Sequence, residues 1–393
     1  MYNVAYLNNI TPLALSLINK DMYKIVDADK DYEALLLRSK QITASDVSKD
    51  VLYIGRAGAG VNNIDIDAFT PKGVVVANAP GANANAVKEL VILGMLMASR
   101  DVIGGIKWLE GVKDTKENIE KLVEDNKNQF AGPEIAGKTM GVIGLGAIGV
   151  LVANSMVSLG VNVLGYDPFI SVKSAWGLSP KIKRAVTINE LFTECDYITI
   201  HVPLMEKTKN YLSAKEFKNA KKGLRLLNFA RGGLVNNKDL NEYLQNGTIA
   251  KYITDFPDNE VLHMPNTLCI PHLGASTPES EINCAKMVVN QMMEYLENGN
   301  IINSVNYPDS YMGPLKTVNR VCVFHKNIPN MIGHTTKTFA NENINISYML
   351  NNSKGDWSYT MLDVDSEVND EILEKLRSME GILRVRRIRN ISE

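Results

Sequence analysis

Short apolar runs alternate with charged, helix-like stretches over roughly the first quarter of the chain. Two clear examples are the runs 51–54 and 74–77. Because this alternation is typical of strands joined by crossover helices, it predicts a parallel sheet with helices on both faces. An apolar helix is predicted over 82–99, and the charged segment 101–128 is predicted to be a surface helix and linker.

The stretch 138–167 has the pattern of a strand, a glycine-rich turn, a helix and a second strand that ends in an acid. Its turn, GLGAIG over 144–149, fits G-x-G-x-x-G. These glycines permit a tight turn, the approach of a pyrophosphate to the helix N-terminus, and close helix–strand packing. Gly160 suits the helix C-cap, and Asp167 lies where an acid would bind an adenosine ribose. The stretch therefore predicts a dinucleotide site, and Asp167 favours NAD over NADP.

Further apolar runs predict that this motif opens a second parallel sheet; they lie at 197–200, 225–228, 252–254 and 267–270. A helix is predicted over 278–298. Beyond a loop that contains Pro308, Gly313 and Pro314, the pattern is strand, helix, strand, strand, helix, strand, which is ferredoxin-like. The closing RVRRIR alternates with apolar residues, so we interpret it as an exposed strand and not as a nucleic-acid tag.

The predicted fold class is therefore α/β, with two doubly wound parallel-sheet domains and a small ferredoxin-like domain. The first, flavodoxin-like domain takes residues 1–95 with a return segment at 281–305. A Rossmann domain takes 96–280, a linker takes 306–318, and the ferredoxin-like domain takes 319–393.

Composition narrows the function classes. Hydrophobic residues make up 45% of the chain and the net charge is −2, which argues against general binding to nucleic acid or membrane surfaces. The four cysteines have no C-x-x-C spacing and are predicted to be reduced core thiols, so we expect no metal site. The apolar run 90–98 is too short to span a bilayer. No signal peptide is evident, and a cytoplasmic location is expected.

Polar residues that follow predicted strands are the candidates for chemistry. Arg231 lies in NFARGG, Glu260 in TDFPDNE and His272 in PHLGAST. Because ligands of open α/β sheets bind outside the carboxyl ends of the strands, these residues should converge on the cofactor crevice. Histidine suits removal of a hydroxyl proton, a carboxylate can orient it, and arginine can bind a substrate carboxylate. Singly, each fits a surface or loop role as well.

Six motifs together resemble the D-isomer-specific 2-hydroxyacid dehydrogenases. They are GRAGAGVNNID (55–65), NAPGANANAVKEL (78–90), GKTMGVIGLGAIG (137–149), HVPL (201–204), NFARGGLV (228–235) and PHLGAST (271–277). The resemblance implies hydride transfer to NAD, with Arg231 as substrate anchor, His272 as acid/base and Glu260 as its carboxylate partner. The family usually has Asp-Val-Phe before that glutamate, whereas this chain has Asp-Phe-Pro, so Asp258 is a rival to Glu260.

The resemblance also implies a set of cofactor-binding residues. The expected set is Gly144, Gly146, Ala147, Ile148, Gly149, Asp167, Val202, Pro203, Ala230, Arg231, Asp255, His272, Gly274 and Ala275. Among these, the resemblance places Asp255 near the nicotinamide.

Arg56 and Asn83 are expected to bind substrate together with Arg231. In family members that act on 3-phosphoglycerate, an arginine matching Arg56 meets the phosphate, so a phosphorylated 2-hydroxyacid is the favoured substrate. A second hypothesis is that the substrate is a different 2-hydroxyacid, such as glyoxylate or hydroxypyruvate. A third hypothesis is a non-catalytic NAD-sensing interaction protein, because some relatives of this fold are corepressors.

The C-terminal part resembles an ACT domain, an amino-acid-sensing fold. This resemblance implies that His325, Asn327 and Asn345 are regulatory residues that could hold L-serine where two such domains pair. The chain has Pro329-Asn330 where the family often has Pro-Gly. The apolar helix 82–99 and the small C-terminal domain both favour a homo-oligomer, either a dimer or a tetramer.

Overall fold

The computed structural model describes residues 1–8 and 10–390, and the chain divides into two compact units. One unit contains Met1–Ala82 together with the chain from Glu281 onward, and the other contains Asn83–Ser280. The first unit holds a parallel sheet and an antiparallel sheet, and the second holds one larger parallel sheet.

The N-terminal sheet has five parallel strands, as the alternating pattern predicts. The strands are β1 (Tyr2–Leu7), β2 (Tyr23–Ile25), β3 (Ala34–Leu37), β4 (Tyr53–Arg56) and β5 (Val75–Asn78), with short helices α1 (Pro12–Leu15) and α2 (Ile66–Phe69). Their order in the sheet is β2-β1-β3-β4-β5. All four residues of β3 are buried, which is expected where helices and loops cover both faces of a parallel sheet.

The second unit begins with helices. They are α3 (Ala84–Ser99), α4 (Val102–Val112) and α5 (Ile119–Asn126). The sequence pattern predicted a single surface helix and linker after residue 100, and the structure instead forms two helices there, neither with a buried residue. The physical reason is a local cap: the Asn118 side chain accepts a hydrogen bond from the backbone N–H of Lys121 and starts a new helix.

Seven parallel strands form the sheet of this unit. In chain order its elements are β6 (Thr139–Ile143), α6 (Ala147–Ser158), β7 (Asn162–Tyr166), α7 (Val172–Trp176), β8 (Lys183–Arg184), α8 (Ile188–Glu194), β9 (Tyr197–Ile200), α9 (Ala214–Phe217), β10 (Leu224–Asn228), α10 (Asn237–Gln245), β11 (Ile249–Thr254) and β12 (Thr267–Cys269). The strand order is β12-β11-β10-β9-β6-β7-β8. The order reverses between β6 and β9, which is the switch point where such sheets bind ligands.

A long helix, α11 (Pro278–Asn298), leads to the C-terminal sheet. The remaining elements are β13 (Asn319–Lys326), α12 (Met331–Asn341), β14 (Ile346–Lys354), β15 (Trp357–Val364), α13 (Asp370–Arg377) and β16 (Ile382–Arg389). The antiparallel order β14-β15-β13-β16 confirms the predicted ferredoxin-like fold.

The C-terminal sheet shares a core with the N-terminal sheet. Phe324 and Tyr359 lie in one buried cluster with Tyr53 and Tyr295. Because this face of the sheet is covered, the prediction that RVRRIR forms an exposed strand is only half right. The strand exists, but Arg386 is buried, and its guanidinium donates to the backbone carbonyls of Tyr295 and Leu296 at the end of α11.

In the parts of the chain that the structure describes, no helix has the length and apolar character needed to span a bilayer. Three of the four cysteines are buried, as predicted for core thiols, and no disulfide joins any of them within the described residues.

Candidate functional site

The glycine turn after β6 has the shape that a dinucleotide needs. Gly144 has a φ of +87°, and a Cβ atom on it would lie 2.6 Å from the carbonyl oxygen of His201. A Cβ on Gly149 would lie 1.9 Å from the carbonyl oxygen of Gly144. No atom lies within 4 Å of the Cβ position of Gly146, and no side chain caps α6. The first N–H groups of α6 therefore remain available to a phosphate group.

Asp167 immediately follows β7 and holds this turn in place. One carboxylate oxygen accepts a hydrogen bond from the backbone N–H of Leu145 at 2.9 Å, and the other accepts from Phe169 at 2.8 Å. A carboxylate has about four lone-pair positions, so two acceptors remain for ribose hydroxyls. A hydrogen bond thus joins the acid to the glycine turn, and their binding of a dinucleotide stays a prediction.

Arg231 lies in the loop that follows β10, and its side chain is exposed. The guanidinium donates one hydrogen bond, to the carbonyl of Ala230 at 2.8 Å. Arg231 forms no ion pair with any other residue that the structure describes. Most of its donors therefore face solvent at the carboxyl edge of the sheet, where a planar, bidentate anion could bind.

The loop that carries Arg231 is shaped by a buried asparagine. The Asn228 side chain accepts from the backbone N–H groups of Ala230 and Arg231 at 3.1 and 3.4 Å. It donates to the carbonyl of Arg231 at 2.8 Å and to the hydroxyl of Tyr252 at 3.3 Å. Asn228 was not among the predicted site residues, although it lies three residues before Arg231 in the NFARGG motif.

Asp255 follows β11 and is 1% exposed. One carboxylate oxygen accepts from the backbone N–H of Gly274 at 3.1 Å, and the other, Oδ1, is buried without a hydrogen-bond partner. Burial raises the pKa of Asp255 above its ordinary value, although the Gly274 N–H and the charges of His272 and Arg231 act in the opposite direction. An unsatisfied buried acceptor is costly, and the amide of a nicotinamide is a donor that would satisfy it.

His272 follows β12, is exposed, and packs against the ring of Phe256 with the centroids 4.4 Å apart. The guanidinium carbon of Arg231 lies 6.0 Å from the centroid of the same ring. The structure therefore brings Arg231, Asp255 and His272 to adjoining strand ends, with Phe256 between the arginine and the histidine. Phe256 was not among the predicted site residues, and the only signal for it in the sequence is the departure from the family's Asp-Val-Phe pattern.

The two candidate partners of His272 differ in their bonding. Asp258 accepts from the backbone N–H groups of Glu260 and Val261 and so caps the short helix Val261–His263. Partial burial opposes ionisation of Asp258, but these bonds outweigh it and hold the pKa of the carboxyl below its usual range. Glu260 accepts one bond, from the Asn237 amide at 3.1 Å, and no ion pair joins His272 to either acid in the described part of the chain.

A further histidine, His201, lies at the end of β9 in HVPL. Its Nε2 pairs with the Thr199 hydroxyl at 3.0 Å, while Nδ1 is buried without a partner, and burial lowers the pKa of His201 to about 3. The ring is thus neutral, and it adjoins Val202 and Pro203, which were predicted to contact the cofactor. Their loop follows β9, directly beside the glycine turn that follows β6.

Two predicted substrate residues occupy different units. Arg56 ends β4 in the first unit, where its Nε donates to the carbonyl of Arg38 at 3.1 Å. Asn83 is the N-cap residue of α3 in the second unit, and its side chain makes no capping hydrogen bond.

The three predicted regulatory residues divide between two cavities of the C-terminal domain. His325 and Asn327 line one cavity of about 330 Å³, and Asn345 lines another of about 520 Å³. Both ring nitrogens of His325 have partners, the carbonyl of Lys326 and the hydroxyl of Thr360, each at 2.8 Å. The Asn327 amide donates to the carbonyl of Gly355 at 3.0 Å, and that of Asn345 donates to Asp365 at 2.9 Å.

Comparison with known proteins agrees with this geometry. The chain is 35% identical over 305 residues to a D-3-phosphoglycerate dehydrogenase of Methanocaldococcus jannaschii. The aligned region covers 75% of this chain and 56% of the relative. It is 35% identical over 288 residues to the human protein of that name, an alignment that covers 70% of this chain and 51% of the relative. It is 32% identical over 304 residues to the Bacillus subtilis protein of that name, covering 75% of this chain and 55% of the relative. The chain thus spans about half the length of these curated relatives.

Solved structures share the fold. An NAD⁺-bound 3-phosphoglycerate dehydrogenase of Entamoeba histolytica is 25% identical, with a TM-score of 0.59, covering 78% of this chain and 98% of its own. A D-2-hydroxyisocaproate dehydrogenase is 20% identical with a TM-score of 0.65, covering 78% and 100%.

Residues 94–274 match the family described as "D-isomer specific 2-hydroxyacid dehydrogenase, NAD binding domain". This range contains the glycine turn, Asp167, Arg231, Asp255 and His272, whereas the predicted substrate residues Arg56 and Asn83 lie outside it. Residues 94–274 are therefore similar to the NAD-binding domain of the D-isomer specific 2-hydroxyacid dehydrogenases, and NAD is the cofactor of this domain.

Proposed function

We propose that this protein oxidises D-3-phosphoglycerate to 3-phosphooxypyruvate with NAD, the first step of the phosphoserine route to L-serine. The observation that carries the proposal is the meeting of Arg231, Asp255 and His272 at adjoining strand ends of one sheet. The names of the curated relatives support the choice of substrate.

In this proposal His272 accepts the proton of the substrate hydroxyl through a ring nitrogen. When bound, NAD supplies the hydride acceptor. His272 is exposed at the strand end, and an imidazole has two ring nitrogens, one to serve the hydroxyl and one to serve a carboxylate. Glu260 is the proposed carboxylate, and Asp258 is less suited because its oxygens already accept two backbone bonds and one from Asn237. Rotation of Glu260 away from Asn237 would free it for this contact.

Arg231 and Arg56 are the proposed anchors for the two ends of the substrate. The exposed guanidinium of Arg231 suits the carboxylate, since a planar fork of N–H donors matches two carboxylate oxygens. Arg56 suits the phosphate, and Asn83 is a proposed further donor to the carboxylate. Asp255 is proposed to hold the nicotinamide amide through its unsatisfied Oδ1.

The direct test is steady-state formation of NADH from 3-phosphoglycerate, compared with D-glycerate, for the wild type and Arg56→Ala. We expect the wild type to prefer the phosphorylated acid and Arg56→Ala to lose about 100-fold or more in kcat/KM for it, since charge-assisted bonds are strong. Equal losses for both acids would remove the phosphate role of Arg56. If only unphosphorylated acids are turned over, the substrate is a different 2-hydroxyacid. If no 2-hydroxyacid is turned over, the protein is a non-catalytic NAD sensor.

We also propose that L-serine binds the C-terminal domain, as an ACT domain, and inhibits the enzyme. His325 and Asn327 line one cavity, and in a pair of domains Asn345 of a second copy could complete the site. The test is the rate at millimolar L-serine for the wild type and Asn327→Ala. We expect inhibition of the wild type and its loss in the variant; an unchanged wild-type rate would remove the proposal.

A homo-oligomer is proposed on the apolar surface of α3 and α4. Large apolar side chains there are exposed by about two-fifths to one-half: Leu93, Leu96, Val102, Ile106 and Leu109. The test is the solution mass of the Ile106→Glu variant. Val186→Glu is the control, because Val186 is an exposed apolar residue outside this surface. We expect only Ile106→Glu to dissociate; an unchanged mass would place the interface elsewhere. A cytoplasmic location stays a prediction from the sequence.

A further inference from the structure

We propose that Phe256 is a positioning residue whose ring holds the His272 imidazole and braces the Arg231 guanidinium. The proposal rests on the proposed function of those two groups. Phe256 is half-buried, its ring centroid lies 4.4 Å from that of His272, and the ring planes are tilted by 48°. It is also the residue at which this chain departs from the family's Asp-Val-Phe pattern.

The contact between the two rings restricts the histidine in the way that acid/base chemistry requires. Contact with the ring of Phe256 limits rotation of the imidazole, whereas the nitrogens remain accessible to other groups. No carboxylate forms an ion pair with His272 among the described residues, and its ring has no other aromatic neighbour there. Aromatic pairs at this separation contribute about 0.5–1.5 kcal/mol beyond their buried area. Phe256 is therefore the group that fixes the imidazole before substrate arrives.

The same ring links the histidine to the arginine. The guanidinium carbon of Arg231 lies 6.0 Å from its centroid, within the range of cation–π attraction. A single rigid side chain thus contacts both the proposed proton acceptor and the proposed carboxylate anchor. Their separation depends on it, because neither exposed side chain is held by a fully buried partner.

The backbone of Phe256 is itself fixed to the Arg231 loop. Its N–H donates to the Thr254 hydroxyl at 3.0 Å, and that hydroxyl donates to the carbonyl of Asn228 at 2.9 Å. The Asn228 side chain in turn makes two hydrogen bonds to the backbone of Arg231 and accepts a third from the N–H of Ala230. Thr254 and Asn228 are both almost fully buried. The ring is therefore tied by a satisfied buried network to one of the groups it braces.

The test compares Phe256→Leu with Phe256→Tyr, which keeps the ring. We expect Phe256→Leu to lower kcat by about 10-fold or more with the KM for NAD changed little, because a small misplacement of reacting groups is costly. We expect Phe256→Tyr to retain most of the wild-type kcat. Phe130→Leu is the matched control, since Phe130 is also half-buried but packs on Trp108. A wild-type kcat in Phe256→Leu, or an equal loss in Phe256→Tyr, would overturn the proposal.

A second readout does not depend on turnover. The chain has five histidines, and the NMR signal of the His272 ring is assigned by its absence in His272→Gln. The ring current of Phe256 should displace that signal in the wild type and in Phe256→Tyr, and the displacement should vanish in Phe256→Leu. An unchanged signal in Phe256→Leu would contradict the contact. Absence of wild-type turnover together with the expected NMR change would instead contradict the proposed function alone.

Discussion

Arg231 at the carboxyl edge of the seven-stranded sheet and Arg320 in the C-terminal sheet are the same residue type in opposite surroundings. Arg231 is exposed and donates to one backbone carbonyl. Arg320 is fully buried, pairs with both oxygens of Asp363 at 2.5 and 2.8 Å, and donates to the carbonyls of Asn298 and Gly313. Donors that are paired inside the fold stabilise it, whereas donors that face solvent at strand ends can bind a ligand.

The two regions also treat helix ends differently. At α6 the N-terminal N–H groups have no side-chain cap. At α11 the C-terminal carbonyls of Leu296, Asn298 and Gly299 accept from Arg386, Arg320 and Tyr359. Unpaired groups at a helix end need partners. Arg386, Arg320 and Tyr359 supply these partners at the C-terminus of α11, and we propose that a phosphate of the cofactor supplies them at the N-terminus of α6.

Replacing the proposed proton acceptor should have the largest effect. We expect His272→Gln to lower kcat by about 1,000-fold, within the range for loss of a general acid or base. NAD binding, followed by fluorescence titration, should stay near the wild-type affinity because the glycine turn and Asp167 are untouched. A near-normal kcat would remove His272 from the chemistry.

Replacing the buried Arg320 should lower the stability of the fold without acting directly on the chemistry. We expect Arg320→Met to lower the free energy of unfolding by about 3–5 kcal/mol, because Asp363 would be left buried and unpaired. Arg389→Met is the matched control. Arg389 is largely exposed and lies 3.8 Å from Glu367, so its loss should cost less than about 1 kcal/mol. Equal effects in denaturant titrations would contradict the distinction between the two arginines.

Asp255 tests whether an unsatisfied group in the site costs stability. Because burial raises its pKa, folding favours the neutral acid, and wild-type stability falls as the pH rises through the folded-state pKa. Asp255→Asn removes that ionisation. We expect its melting temperature, relative to the wild type, to be highest at neutral pH and the advantage to vanish below about pH 4, where the unfolded acid is also protonated.

The same variant should weaken NAD binding by roughly 10-fold, since a bond to a charged acceptor is lost. A stability difference that does not change with pH would indicate that Asp255 is not the group responsible. Unchanged NAD affinity would remove its proposed contact with the nicotinamide amide.

Much of this arrangement was predictable from the sequence. The glycine turn, Asp167 and the strand before Arg231 have strong local patterns, because backbone turns and buried strands restrict which residues fit. The ferredoxin-like order was equally predictable from alternating apolar positions. Sequence patterns of this kind describe one element and its immediate connections.

The features that the sequence did not reveal depend on distant contacts. The burial of Arg386 depends on the end of α11, which lies about 90 residues earlier in the chain. The position of Phe256 against His272 depends on side-chain direction, which the unusual run TDFPDNE does not determine. The separation of His325 from Asn345 into two cavities likewise depends on packing within the C-terminal domain.

If Arg231 binds the substrate and does not stabilise the fold, the Arg231→Lys variant should lose activity without losing stability. The measurement is kcat/KM for 3-phosphoglycerate and NAD beside the melting temperature of the same preparation. Lysine keeps the charge but lacks the planar fork of donors. We predict a loss in kcat/KM of about 100-fold or more with the melting temperature unchanged. A fall in both kcat/KM and the melting temperature, or a wild-type kcat/KM, would contradict a role of Arg231 in binding substrate alone.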